Sequence, residues 1–259
     1  MPFLEQDGLR YFVFERFPDS VIHAVFTRRG GVSPAPWASL NVGGTVGDDA
    51  ERVRENQRRM LAAIGRSGDS VFDAWQVHGV NVFRADAPRP PQMPHPQADI
   101  LITDRPQVTL LMRFADCVPI FLLDPRRGAI ALIHAGWKGT VAGAARLAVQ
   151  AMRQHYGSVP QDLLAAIGPS IGPDHYEVGP EVVEQVRATF GAQAERVLIA
   201  RNGHTHFDLW QANRLLLEFA GVGQIEIAGL CTACDLENWY SHRAERGRTG
   251  RFGAVFAIK

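Results

Sequence analysis

The chain has 259 residues, 46% of them apolar and 21% charged, enough to bury one large core or two modest ones. Lys plus Arg and Asp plus Glu both number 27, so no net field draws the protein to nucleic acid or to a membrane surface. Three cysteines make no disulfide framework, Glu5 and Asp7 interrupt any basic and apolar leader, and no apolar run reaches membrane-spanning length, which together point to a cytoplasmic protein.

In chain order, an apolar run predicts a strand at 21–27, and helical spacing predicts a helix at 49–65. Strands follow at 71–76 and 80–85, then a proline-rich surface loop at 88–96 that is the best candidate for mobility. Three more strands are expected at 108–114, 119–123 and 129–133. After the glycine turn at 136–139, Val141, Ala144, Ala145, Ala148, Val149 and Met152 recur at three- and four-residue intervals, so a helix should begin near Thr140. A strand at 164–167, a helix at 180–190 with Pro180 in its first turn, a helix at 208–220 capped by Asp208, and strands at 224–229 and 252–258 complete the pattern. No repeat of fixed period appears, and one mixed α and β domain over residues 1–259 is expected.

Three residues in turns carry the chemistry: His78 in Gln76-Val77-His78-Gly79, Cys117 in Ala115-Asp116-Cys117-Val118-Pro119, and His134 in His134-Ala135-Gly136-Trp137-Lys138-Gly139. Two imidazoles and a thiolate are a donor set zinc prefers, and three protein ligands leave a tetrahedral ion one open position. Each residue alone also fits an ordinary strand end. Free backbone amides at the start of the helix after Gly139, with Lys138 in the same turn, suggest an anion site. Cys117 could equally be a nucleophile partnered by histidine or an inert thiol. Cys231 and Cys234 form a single Cys-x-x-Cys with no second pair in sequence and are read as structural, and His204-Thr205-His206 as a loop feature.

These pieces together resemble the YfiH-type, or laccase-domain, family over nearly the whole length. The resemblance rests on the three motifs above and on Thr27-Arg28-Arg29-Gly30-Gly31-Val32-Ser33, Asn41-Val42-Gly43 and Gly47-Asp48. It extends through Gly168-Pro169-Ser170-Ile171-Gly172, Cys231-Thr232, Tyr240-Ser241-His242-Arg243 and Thr249-Gly250-Arg251. It implies an α+β fold, a layered α/β/β/α sandwich with mixed sheets, similar to the cysteine-dependent catalytic domain of certain bacterial toxins. It also implies that His78, Cys117 and His134 bind one zinc ion (Zn2+). The activity implied is phosphorolysis of purine nucleosides, namely adenosine, inosine, guanosine and methylthioadenosine, to base and ribose-1-phosphate, with adenosine deamination besides. Gln57, and His242 with Ala244, depart from the residues usual at their positions in the family, which bears on substrate preference and on which cations bind phosphate, not on the zinc ligands.

Phosphorolysis needs a site that holds a dianion, stabilises a cationic sugar and neutralises the departing base. Arg28, Lys138 and Arg243 are the candidates for anion contacts, with Asn41, Gln76 and Ser241 as further substrate contacts. Asp116 is expected as a proton carrier or as a partner that orients a ligand. The competing readings are a copper (Cu) phenol oxidase, a cysteine hydrolase using Cys117 with His134 as base, and a non-enzymatic binding protein with a vestigial pocket. Nucleosides and phosphate are the expected small-molecule partners, with no nucleic acid, no membrane and no obligate protein partner.

Overall fold

The apolar runs become two six-stranded sheets stacked face to face, their central strands buried almost throughout. The computed structural model describes residues 2–259. Its elements in chain order are β1 (Phe3–Gln6), β2 (Leu9–Phe12), β3 (Val21–Phe26), α1 (Ala50–Ala62), β4 (Val71–Asp73), β5 (Val82–Arg84), β6 (Ile100–Thr103), β7 (Thr109–Phe114), β8 (Val118–Asp124) and β9 (Ala129–Ala135). Then come α2 (Trp137–Val141), α3 (Ala144–Tyr156), β10 (Leu164–Ile167), α4 (Pro180–Phe190), β11 (Leu198–Arg201), β12 (His204–Phe207), α5 (Leu209–Phe219), β13 (Gln224–Ile227) and β14 (Phe252–Ile258).

The first sheet runs β1-β2-β3-β14-β7-β4 and the second β13-β10-β8-β9-β6-β5, while β11 and β12 form a separate hairpin. Both large sheets are mixed: β4 and β7, β10 and β13, and β5 and β6 pair in parallel, and the other neighbours pair antiparallel. The inner faces meet in one aromatic core, where Phe121 of the second sheet packs edge-on against Phe14 at 5.3 Å and Phe256 at 5.2 Å. On the outer face of the first sheet, Met60 and Leu61 of α1 cover Phe26, Leu111 and Val255. The second sheet is covered by α3 and α5; Ala145 and Ala148 have side chains small enough to let α3 lie close over Ile120, Ala131 and Ile133. The order is therefore helix, sheet, sheet, helix. Helix α1 starts where Asp49 caps it, accepting the amides of Glu51 at 2.9 Å and Arg52 at 3.1 Å.

Several expectations need correcting. The hairpins β1–β2 and β11–β12 were not predicted, nor was the four-residue β6. His204 and His206 lie in β12 rather than in a loop, and His204 Nδ1 bonds Glu177 at 2.7 Å. The helix expected from Thr140 begins three residues earlier, at Trp137, and breaks at Gly143, whose φ of 82° belongs to the left-handed region. The proline-rich loop is tied down, since Arg89 donates to Asp73 at 2.8 Å and to the Met93 carbonyl at 2.7 Å.

Strand pairing decides where the chemistry collects. Val118 at the start of β8 faces Ala135 at the end of β9, and Ile133 faces Ile100 at the start of β6. Ile100 in turn faces Val82 of β5, while Ile167 at the end of β10 lies beside Ile120 and Ile227. The loops holding residues 78–81, 99, 116–117, 168–176 and 228–234 therefore emerge from one end of the second sheet, beside His134 at the end of β9.

Candidate metal centre

At that end, donor atoms of His78, Cys117 and His134 lie within 4.8 Å of one another. No fourth His, Cys, Asp or Glu joins this group among the described residues. His134 is buried, Cys117 half-buried and His78 exposed, so the cluster sits at the boundary between core and cleft. Gly136 leaves the room it needs: a Cβ there would stand 2.9 Å from Cys117 Sγ and 3.4 Å from His78 Cδ2.

The residue that organises the cluster escaped the sequence reading. Asp99, fully buried, accepts the backbone amides of Val77 at 3.1 Å, His78 at 3.1 Å and Gly79 at 2.8 Å, and it bonds His134 Nδ1 at 2.7 Å. One carboxylate thus orients the His134 ring and folds the turn that carries His78. That turn holds His78 at φ 59°, and Asp116 beside Cys117 at φ 83°, left-handed conformations that cost non-glycine residues on the order of 1 kcal/mol each. Strain tolerated on both sides of one cluster is a mark of a functional site.

Electrostatics fit a cation. Burial pushes the Cys117 thiol up, but the charge of His134 and hydrogen bonds from His134 and His78 outweigh it and bring the thiol down to about 6. Burial pushes His134 down, and Cys117 with Asp99 reverse this and raise it to about 9. Asp99 is held below the ordinary carboxylate range despite burial, by His134 and by the amides it accepts. A thiolate already favoured at neutral pH, two imidazoles, and a carboxylate behind one of them form a donor set suited to zinc. The residues present therefore fit the ion.

The cluster lines a cleft of about 900 Å³. Lys138, Arg243, Arg251, Arg113 and Arg89 supply cations to its wall, and Trp75, Trp137 and Tyr176 supply aromatic faces. Arg113 and Arg89 are paired with Asp73 at 2.7 and 2.8 Å. Arg243 lies over Tyr176 with its guanidinium carbon 5.0 Å from the ring centroid and donates to the Glu177 carbonyl at 2.9 Å. Gln57 and His242, the two departures noted in the sequence, both line this wall.

The other predicted site residues divide. Lys138, Arg243, Gln76 and Asp116 line the cleft, although the Gln76 amide is committed to the backbone of Arg113 in both directions, at 2.9 Å each. The Asp116 carboxylate accepts Thr232 Oγ1 at 2.7 Å and the Arg243 amide at 2.6 Å, and so fastens three loops together. Arg28, Asn41 and Ser241 lie outside the lining. Arg28 pairs with Glu245 at 3.0 Å and stacks on Tyr240, Asn41 is fully buried and accepts the amides of Gly43 and Arg251, and Ser241 caps Ala244. Their polar groups are spent on holding loops.

A family model described as multi-copper polyphenol oxidoreductase laccase matches residues 22–259. The chain belongs to this family, the YfiH-type laccase-domain proteins. A purine nucleoside phosphorylase of Deinococcus radiodurans is 42% identical over 239 residues, covering 92% of this chain and 90% of that one. Among solved structures, YlmD from Geobacillus stearothermophilus superposes with a TM-score of 0.92 at 33% identity, over 100% of this chain and 99% of that one. The hypothetical protein YfiH of Bacillus licheniformis gives a TM-score of 0.92 at 31% identity over the same shares. The laccase-domain fold of this chain is thus shared from end to end with its relatives.

Proposed function

We propose that this laccase-domain protein is a zinc-dependent purine nucleoside phosphorylase. The observation that carries the reading is the His78, Cys117 and His134 cluster in a cation- and aromatic-lined cleft, joined to relatives that bear the phosphorylase name. Phosphate attacks the anomeric carbon of the sugar, the glycosidic bond to the purine breaks, and its electron pair leaves on the purine nitrogen, which must take up a proton. Lys138, Arg243 and Arg251, which line the cleft, would hold the phosphate dianion. Trp75, Trp137 and Tyr176 offer faces against which the purine can stack and exclude water. Asp116 keeps Arg243 in position through its backbone amide, and Asp99 keeps His134 aligned. A zinc ion held by His78, Cys117 and His134 would supply Lewis acidity to an oxygen or nitrogen in the cleft. Adenosine deamination, in which water replaces the amino group and ammonia leaves, is proposed as a second activity of the same cleft.

The test is incubation of metal-replete protein with inosine, with and without phosphate, followed by separation of hypoxanthine and ribose-1-phosphate. Phosphate-dependent base release that disappears in Cys117→Ala is the expected result. Equal release without phosphate would instead describe a hydrolase.

A second reading has its own observation. Asp99, His134 and Cys117 line up as acid, imidazole and thiol, with a favoured thiolate, which is the arrangement of a cysteine hydrolase. Rapid alkylation of Cys117 in zinc-replete protein would favour it, because a metal-bound thiolate is shielded. Two imidazoles and a thiolate also suit copper, so metal analysis of the purified protein, with phenol turnover alongside, separates the oxidase suggested by the family description.

A further inference from the structure

A second group of donors lies at the same end of the second sheet, outside the cluster described above. His175, Cys231 and Cys234 place their donor atoms within 4.8 Å of one another, with His175 Nδ1 at 3.7 Å from Cys231 Sγ and 3.5 Å from Cys234 Sγ. The parallel pairing of β10 with β13 brings them together: both strands end side by side, at Ile167 and Ile227, and the loops that follow run on next to each other. One loop closes a turn through the His175 amide to the Gly172 carbonyl at 3.1 Å, and the other through the Cys234 amide to the Cys231 carbonyl at 3.3 Å. A bridge between Ser170 and Cys231 locks the two loops in register.

Two further details favour a metal over three unrelated side chains. The Gly172 amide donates to Cys231 Sγ at 3.2 Å, a contact that stabilises an anionic sulfur, and a Cβ at Gly172 would come within 3.3 Å of that sulfur and 2.9 Å of Trp210. All three cysteines of the chain are free thiols, and two of them meet here on one imidazole. The spacing Cys-x-x-Cys is a zinc-binding turn once a third donor approaches from elsewhere. His175, 56 residues before Cys231, is that donor.

We propose that His175, Cys231 and Cys234 bind a second zinc ion, structural in role, that clamps the 172–176 loop to the 231–234 turn. The fourth position is left to solvent, since the carboxylate of Asp174 is paired with Arg201. The clamp bears on the cleft wall from both sides. Tyr176, next to His175, lines the cleft, and Thr232, next to Cys231, bonds Asp116. The proposal needs no particular reaction in the cleft.

The test is a metal count on full-length protein, reduced, loaded with zinc and freed of loosely bound ion. The parent should hold about two zinc ions per chain, the doubly substituted Cys231→Ser/Cys234→Ser variant about one, and Cys117→Ala about one. A parent value that the double substitution leaves unchanged overturns the proposal, whatever the activity assays show. A measurement on the unsubstituted protein guards against misfolded variants: cysteine alkylation mapped by peptide mass spectrometry, with and without zinc. Protection of both Cys231 and Cys234 by zinc supports the site. Equal labelling in both states, or a Cys231–Cys234 disulfide that forms in zinc-loaded protein, refutes it.

Discussion

The two His/Cys clusters lie at the same end of one sheet but are built differently. The His78, Cys117 and His134 group rests on Asp99, which is fully buried and bonds one ring and three amides. The His175, Cys231 and Cys234 group rests on two surface turns, and its imidazole is exposed and, among the described residues, held by no buried carboxylate. The first is preorganised by the core and so able to hold its shape when the metal leaves. On the proposal above, the second would rely on the ion itself to hold its geometry. This difference separates a centre suited to chemistry from one suited to fastening loops.

The largest effect should follow loss of Asp99. Asp99→Ala removes the acceptor of three backbone amides and the buried partner of His134, so a loss of about 3–5 kcal/mol in unfolding free energy is expected. Zinc affinity of the first cluster should fall by at least about 10–100-fold, the range seen when an orienting partner of a ligand is removed. Denaturant melts and a zinc competition assay check both. Asp99→Asn, which keeps an acceptor, should recover part of the stability but little of the metal affinity. If it recovers both, the buried charge is not what distinguishes the first cluster.

Acid should weaken the scaffold before the comparison of metal release can be read, and His23 is the reason. Burial between Phe14 and Phe17 pushes His23 down to about 4, and its Nε2 accepts the Phe14 amide at 2.8 Å, so the folded state holds it neutral. The unfolded chain takes up the proton near pH 6.5, so this contribution is fully present above that pH. It is lost as pH falls from about 6.5 to about 4, in total on the order of 2–3 kcal/mol. Stability measured between pH 7 and 4 in metal-free protein should show the slope, and His23→Gln, which keeps an acceptor without the titration, should flatten it.

Gly136→Ala should discriminate the clusters at smaller cost. The new methyl meets Cys117 Sγ at 2.9 Å, and the thiol must swing away. Overpacking of this kind costs about 1–3 kcal/mol. Metal analysis should show the first ion lost and the second kept.

Much of the fold could be read in advance because the central strands, covered on both faces, are long continuous apolar runs. Strand β8 and strand β9, seven residues each and buried throughout, announce themselves. Short edge elements do not, although both missed hairpins carried a signal. Asp7-Gly8 and Asn202-Gly203 adopt positive φ at both positions, the turn geometry that joins paired strands. In the site, His78, Cys117 and His134 stood out because each lies in or beside a turn marked by glycine or proline. Asp99 is a lone carboxylate before the short run Ile100–Thr103, and His175 sits in an unremarkable polar loop, so their roles arise from strand pairing alone. Arg28, Asn41 and Ser241 share motifs with site residues yet brace loops, because a motif does not say which way its polar groups turn.

The smallest effect tests the second cluster most directly. Cys234 is exposed, and in metal-free protein Cys234→Ser should lie within about 0.5 kcal/mol of the parent, as surface substitutions do. Zinc changes the comparison, because an ion that binds the folded state adds about 2.7 kcal/mol at a free concentration of 100 times its Kd. The parent should therefore gain more from zinc than the variant in paired melts, by the increment belonging to this ion. The first cluster should contribute equally to both proteins and cancel. A substitution neutral without zinc and costly with it identifies a ligand, whereas a thiol that merely packs would cost the same in both melts.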